Sequence, residues 1–208
     1  MTDRRIIAAA AGAALTVTAL PAVAAAQLLE DAPEPLEGVG ITEKLDAALP
    51  LELTFRDETG ETVTLGRYFG QEKPVALCFV YFNCPMLCNV FLDGFTATLR
   101  ELDWTPGNEF EIVTVSMDPR DTPEGAVKKR AHYVESLGIP AAEEGWHFLT
   151  GDEESIRRLA GAAGFEYRFD EETGEFQHSA GLFVTTPDGR ISRVLYGVMY
   201  EPQTLRLS

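Results

Sequence analysis

The chain has 208 residues, an ordinary apolar share and a net charge of −16, with a pI near 4.5. That length suits one domain with a core of its own. The acidity argues against a nucleic-acid binder, whose affinity comes from Lys and Arg displacing phosphate counterions, and against adhesion to anionic lipid.

The N-terminus opens with a short basic stretch (Arg4, Arg5), an apolar alanine-rich run from Ile6 to Ala19, and Pro21 before Ala24-Ala25-Ala26. This is the layout of a secretory signal peptide over residues 1–26. Ile6 to Ala26 is also just long enough to stay as a membrane anchor, although alanine makes it weakly hydrophobic. No cysteine lies near the cut, so lipoprotein processing is excluded. On either reading the folded part is expected outside the cytoplasm. Residues 27–50, acidic and dotted with Pro and Gly, read as a linker, and the domain is expected over 51–208.

The domain begins with two period-2 runs, Leu51 to Asp57 and Glu61 to Leu65, around a Glu58-Thr59-Gly60 turn, which predicts a β-hairpin. The continuous apolar run from Val75 to Phe82 predicts a strand buried on both faces. Leu87, Val90, Phe91, Phe95, Leu99 and Leu102 recur at helical spacing, with Pro85 suited to the first turn. A buried strand follows at Phe110–Met117. Next come a helix capped by Thr122 and stopped by Gly138, and a short strand at Trp146–Leu149. Asp152 starts a helix that ends at Gly164, a loop covers Asp170–Phe176, and strands at Ser179–Thr185 and Ile191–Tyr196 flank a Pro187-Asp188-Gly189 turn. The order, a hairpin, β-α-β-α-β-α and a second hairpin, predicts an α/β, thioredoxin-like sandwich with a mixed central sheet, a parallel centre with the hairpins as antiparallel edges, and flanking helices. Such sheets bind ligands at the carboxyl ends of their strands.

At that position stands "NCPMLC", with Cys84 just before a helix and Cys88 in its first turn. Residues four apart share a helix face, and the helix N-terminus favours thiolate over thiol. Three cysteines are too few for a disulfide scaffold in an exported domain able to build its own core, so a staple is disfavoured. Three intervening residues also depart from the two of thioredoxin motifs. A redox pair and half of a metal site stay open. A metal site needs a third ligand. His132 sits within a predicted helix and His147 within a short strand, where each is simplest as a structural residue. His178 precedes the strand that would neighbour the cysteine strand, which makes it the best third donor. Two thiolates and an imidazole suit Cu(I), and Cu(II) with an added oxygen; closed structural zinc sites want four ligands. Cys78 reads as a buried hydrophobe, and Asp118 in "SMDPRDTPE" as turn chemistry or an oxygen ligand beside the site.

These segments carry a resemblance. "PLELTFRDETGETVTL", "PVALCFVYFNCPMLCNVF", "EIVTVSMDPRDTPE" and "FQHSAGLFVTTPDGRI" together resemble the Sco/SenC family of copper-handling, thioredoxin-fold proteins over roughly Gly40 to Tyr200. The resemblance implies Cys84, Cys88 and His178 as the copper ligands. It also implies a metallochaperone that delivers copper to, or matures, the binuclear site of cytochrome c oxidase. The expected partner is the copper-accepting subunit of a respiratory oxidase, with inner-membrane anchoring through the N-terminus. The alternative is a periplasmic thiol-disulfide oxidoreductase, in which Cys84 attacks a disulfide and Cys88 resolves it. This chain departs from the best-known members in carrying Pro85, Met86 and Leu87 between the cysteines, and "YFN" before them in place of their Thr-His. "EPQTLRLS" reads as the first turn of a C-terminal helix, truncated relative to the sheet-covering helix expected there.

Overall fold

A computed structural model describes residues 38–208. In chain order its elements are β1 (Gly40–Ile41), β2 (Thr54–Arg56), β3 (Thr62–Thr64), β4 (Val75–Val80), α1 (Leu87–Glu101), β5 (Glu111–Ser116) and α2 (Pro123–Leu137). There follow α3 (Ala142–Gly145), β6 (Trp146–Leu149), α4 (Glu153–Ala163), β7 (Phe165–Asp170), β8 (Glu175–His178), β9 (Gly181–Thr185), β10 (Ile191–Tyr196) and α5 (Pro202–Arg206). No helix among the described residues is long and apolar enough to cross a membrane. The expected export signal or anchor, residues 1–26, lies outside the described residues.

The central sheet has the order β10-β9-β4-β5-β6. β4, β5 and β6 run parallel, and β9 and β10 complete the sheet antiparallel. Every residue of β4 and β5 is buried, as the unbroken apolar run of β4 requires when helices cover both faces, and in β5 the burial includes Glu111, Thr114 and Ser116. α1 packs against α2 and α5, and α2 against β6. The core closes around Trp146, Phe95, Phe148, Phe183 and Leu77, each contributing about 1.5–3 kcal/mol by leaving water. Trp146 Nε1 keeps its donor satisfied on Thr114 Oγ1, 3.0 Å away.

The helix signals act as the sequence implies. Thr122 Oγ1 accepts from Gly125 N–H and Asp152 Oδ1 from Ser155 N–H, each satisfying a first-turn donor. Gly138 and Gly164 end their helices at φ 72° and 79°, a left-handed turn that a Cβ would strain. α1 begins at Leu87 rather than at Pro85, because the chain is still turning at Met86 (φ −144°, ψ −69°).

Three expectations are revised. The first hairpin, β2–β3, is a separate ribbon tied to the end of β6 through reciprocal Arg56 and Thr150 backbone bonds, not an edge of the main sheet. The last part of the expected linker belongs to the domain. β1 pairs with β7, and Leu49 is buried with its N–H on Gly189 O, because this stretch has backbone partners waiting for it. The expected Asp170–Phe176 loop is the turn of a hairpin. β7 and β8 pair antiparallel, and with β1 they form a third small sheet. Phe165 of β7 stacks on Phe79 of β4, with ring centroids 4.7 Å apart, and fixes this sheet to the main one.

Candidate metal centre

Sheet topology brings the two halves of the centre together. The chain leaves the carboxyl end of β4 into Tyr81-Phe82-Asn83-Cys84. β9 runs the other way beside β4, with Cys78 opposite Leu182. Continuing that register carries residue 178, just ahead of β9, to the level of residue 82. Ligand atoms of Cys84, Cys88 and His178 lie within 4.8 Å of one another, the one such group of metal-type donors among the described residues. Both sulfurs are buried free thiols, and His178 is half-buried.

Local bonds set the chemistry of each donor. Cys88 N–H, near the start of α1, donates to Cys84 Sγ at 3.3 Å, so the sulfur serves the helix end as an N-cap oxygen would. Tyr81 N–H points at Cys88 Sγ from 3.4 Å. The His178 ring has Nδ1 2.9 Å from the Ser179 carbonyl, which can only accept. Nδ1 therefore carries the proton, leaving the Nε2 lone pair 3.4 Å from Cys88 Sγ. Asn89 Nδ2 donates to the Cys84 carbonyl, and Lys129 Nζ holds Asn89 Oδ1 at 2.6 Å, so α2 braces the loop.

The two thiols differ sharply. A hydrogen bond from the Cys88 thiol lowers the Cys84 pKa to about 4; burial opposes this, while backbone donors at Cys88 and Met86 and the Tyr81 hydroxyl assist. Cys88, which supplies that proton, is pushed far above the ordinary thiol range by the same bond and by burial. The pair thus carries one negative charge at neutral pH. Its second proton is held while Cys84 Sγ carries the charge, and is released when a soft metal ion or a new bond takes up that charge. Met86 stands exposed at the lip of the groove that contains Cys84 and His178.

The remaining candidates lie elsewhere. Cys78 is fully buried against Thr114 Oγ1, with its pKa raised to about 12 by burial. His132 is exposed on α2. His147 sits between Glu58 and Glu111, 3.7 Å from each. Asp118 is no oxygen donor to the centre, since both its carboxylate oxygens are bound by the Arg120 guanidinium at 2.8 Å. Asp121 is the residue that sequence reasoning passed over. Its carboxylate accepts from Phe82 N–H at 2.8 Å and Ser116 Oγ at 2.6 Å, holding the loop that leads to Cys84. Its place beyond a buried parallel strand was the available signal.

With this geometry in view, the SCO1/SenC family model matches residues 42–206. The chain belongs to the SCO1/SenC family. Solved structures agree. A protein of Aquifex aeolicus VF5 is 25% identical with a TM-score of 0.69, over 79% of this chain and 91% of that one. BsSco, described as a member of the Sco family of cytochrome c oxidase assembly proteins with a disulfide switch, is 24% identical at TM-score 0.61, covering 80% and 93%. Bradyrhizobium japonicum ScoI, solved with copper bound, is 24% identical at TM-score 0.55, covering 73% and 91%. These similarities show the shared fold, a mixed sheet flanked by helices as in the thioredoxin-like Sco structures. A comparison with curated protein sequences finds no match.

Proposed function

We propose that this SCO1/SenC protein binds copper through Cys84 Sγ, Cys88 Sγ and His178 Nε2 and passes it to the copper-accepting subunit of a respiratory oxidase. The observation that carries the reading is the donor group itself: two sulfurs and an imidazole lone pair within 4.8 Å, at the carboxyl end of a buried strand. The set is soft and borderline, which favours Cu(I) over hard cations. Three ligands at a groove leave a side open for exchange with a partner, whereas a closed zinc site would use four. Structures of relatives with copper bound support the same choice of ion. Delivery outside the cytoplasm, with residues 1–26 as export signal or anchor, is part of the proposal. The test is a Cu(I) titration against a chromogenic chelator. The parent should take one ion per chain, and Cys84→Ser, Cys88→Ser and His178→Ala should each weaken binding by more than about tenfold. A His178→Ala protein that holds Cu(I) as tightly as the parent defeats the three-ligand site.

The low pKa of Cys84 favours a second reading, thiol-disulfide exchange. The Cys84 thiolate would attack a partner disulfide, forming a mixed disulfide and releasing one partner thiol. Cys88, its proton taken up by the first departing partner sulfur, would attack Cys84 Sγ, forming the Cys84–Cys88 disulfide and releasing the second partner sulfur as a thiolate. Turnover that survives His178→Ala and not Cys84→Ser would support it.

A further inference from the structure

Neither half of the metal centre lies on the turn from β5 to α2, Met117-Asp118-Pro119-Arg120-Asp121-Thr122, yet both halves lean on it. On the cysteine side, Asp121 Oδ2 takes the Phe82 N–H at 2.8 Å, and Oδ1 lies 3.4 Å from Asn83 Nδ2. Ser116 Oγ fixes the same carboxylate from the end of β5. On the histidine side, Arg120 Nε and Nη2 form a two-pronged bond to Asp118, whose carboxylate is buried. That grip sets the plane of an otherwise exposed guanidinium. The plane lies over the rings of Phe169 on β7 and Phe176 on β8, at 4.8 and 5.8 Å.

Phe176 and His178 are two apart on one strand and so project from the same face. The Phe176 ring also meets Tyr81, the residue whose N–H points at Cys88 Sγ, at 5.3 Å. No backbone ladder joins β8 to the main sheet. The short connection from His178 to β9 sets the level of the histidine, but side-chain contacts hold the hairpin against the cysteine loop, and Arg120 reaches two of the hairpin's rings, Phe169 and Phe176.

We propose that this turn is the gauge of the centre, with Arg120 positioning the hairpin that carries His178 and Asp121 positioning the loop that carries Cys84. The inference rests on the three-ligand reading above. Arg120 acts only through the histidine, so its effect must vanish when the histidine is gone; Asp121 acts through the cysteines, so its effect must persist.

A double-mutant cycle on the purified full chain tests this with Cu(I) alone as the probe. Arg120→Gln should weaken Cu(I) binding by about tenfold in the parent, within the range measured for residues that orient metal ligands. In a His178→Ala background the same substitution should change affinity by less than about twofold. Arg120→Lys, which keeps the charge and loses the planar fork, should fail to restore the parent value. Asp121→Asn should weaken binding in both backgrounds. Where Arg120→Gln does not fold, Phe169→Leu, which removes the ring nearest Arg120 and keeps apolar bulk, supplies the same comparison. Equal losses in both backgrounds, or no loss in the parent, overturn the gauge. Equal affinity of the parent and His178→Ala overturns the three-ligand reading instead, and the gauge with it.

Discussion

The most direct consequence of the paired thiols concerns which atom of Cys88 lowers the Cys84 pKa. The largest contribution is the Cys88 side-chain hydrogen bond, which places Cys84 at about 4. Replacing Cys88 by Ala removes that donor and leaves the Cys88 backbone N–H, 3.3 Å from Cys84 Sγ, in place. A hydrogen bond to a charged group is worth about 1.5–3 kcal/mol. At about 1.4 kcal/mol per pH unit, its loss should raise the Cys84 pKa by about 1–2. Cys88→Ser offers an O–H in place of the S–H and should leave Cys84 close to its parent value. Absorbance of the thiolate near 240 nm, or the pH dependence of alkylation by iodoacetamide, reads this directly once Cys78 is replaced by Ala. If Cys88→Ala titrates with the parent, or if Ser and Ala titrate alike, the side-chain donor is not what holds the thiolate, and the helix end alone must account for it.

Two further outcomes follow from other parts of the fold. Burial opposes the charge on His147, but Glu111 and Glu58 outweigh it and raise its pKa, while the two carboxylates, held down chiefly by His147 against their own burial, are lowered. The raised histidine stabilises fully below its unfolded value of about 6.5 and loses that contribution as pH rises through the folded value; the lowered carboxylates stabilise above about 4.5 and lose theirs as pH falls. Urea midpoints from pH 5.5 to 9 should therefore fall more steeply for the parent than for His147→Gln, and parallel curves would exclude the imidazolium. The same Gly→Ala exchange should act with opposite signs in two helices. Gly161, with nothing within 4 Å, should gain about 0.5–1 kcal/mol from helix propensity, whereas Gly94, whose new Cβ would lie 1.9 Å from Val198 O, should lose about 1–3 kcal/mol. A Gly94→Ala protein melting above the parent would mean that the 197–200 segment is not seated against α1.

Much of the framework could be read from the residues because local and global signals agree there. The unbroken apolar run of β4, the caps at Thr122 and Asp152 and the stops at Gly138 and Gly164 each have one physical solution. β7 alternates Phe165, Tyr167 and Phe169 with Glu166, Arg168 and Asp170, but the acidic run that follows it carries a stronger local signal, that of a turn. β1, two residues long, has no pattern to read; its pairing with β7 is decided by a partner more than a hundred residues away. The closeness of His178 to the cysteine turn was legible because it lies just ahead of β9, the strand that neighbours β4. The roles of Asp118 and Asp121 were not legible. Both sit in one turn, and which carboxylate faces the cysteine loop depends on the turn's conformation and on Arg120 claiming the other.

Cys88 and His178 stand 90 residues apart in the chain. An ion held by both closes a loop enclosing most of α1, β5, α2, β6, α4 and the β7–β8 hairpin. For a covalent cross-link of that span the entropy withheld from the unfolded chain is worth about 4–5 kcal/mol, against about 2 kcal/mol for the short ring that a Cys84–Cys88 disulfide would make. Loading and oxidation would therefore not be equivalent ways of occupying the same sulfurs. The first would withhold far more entropy from the unfolded chain than the second, so on the proposed function a carrier that gave up its ion would also give up stability.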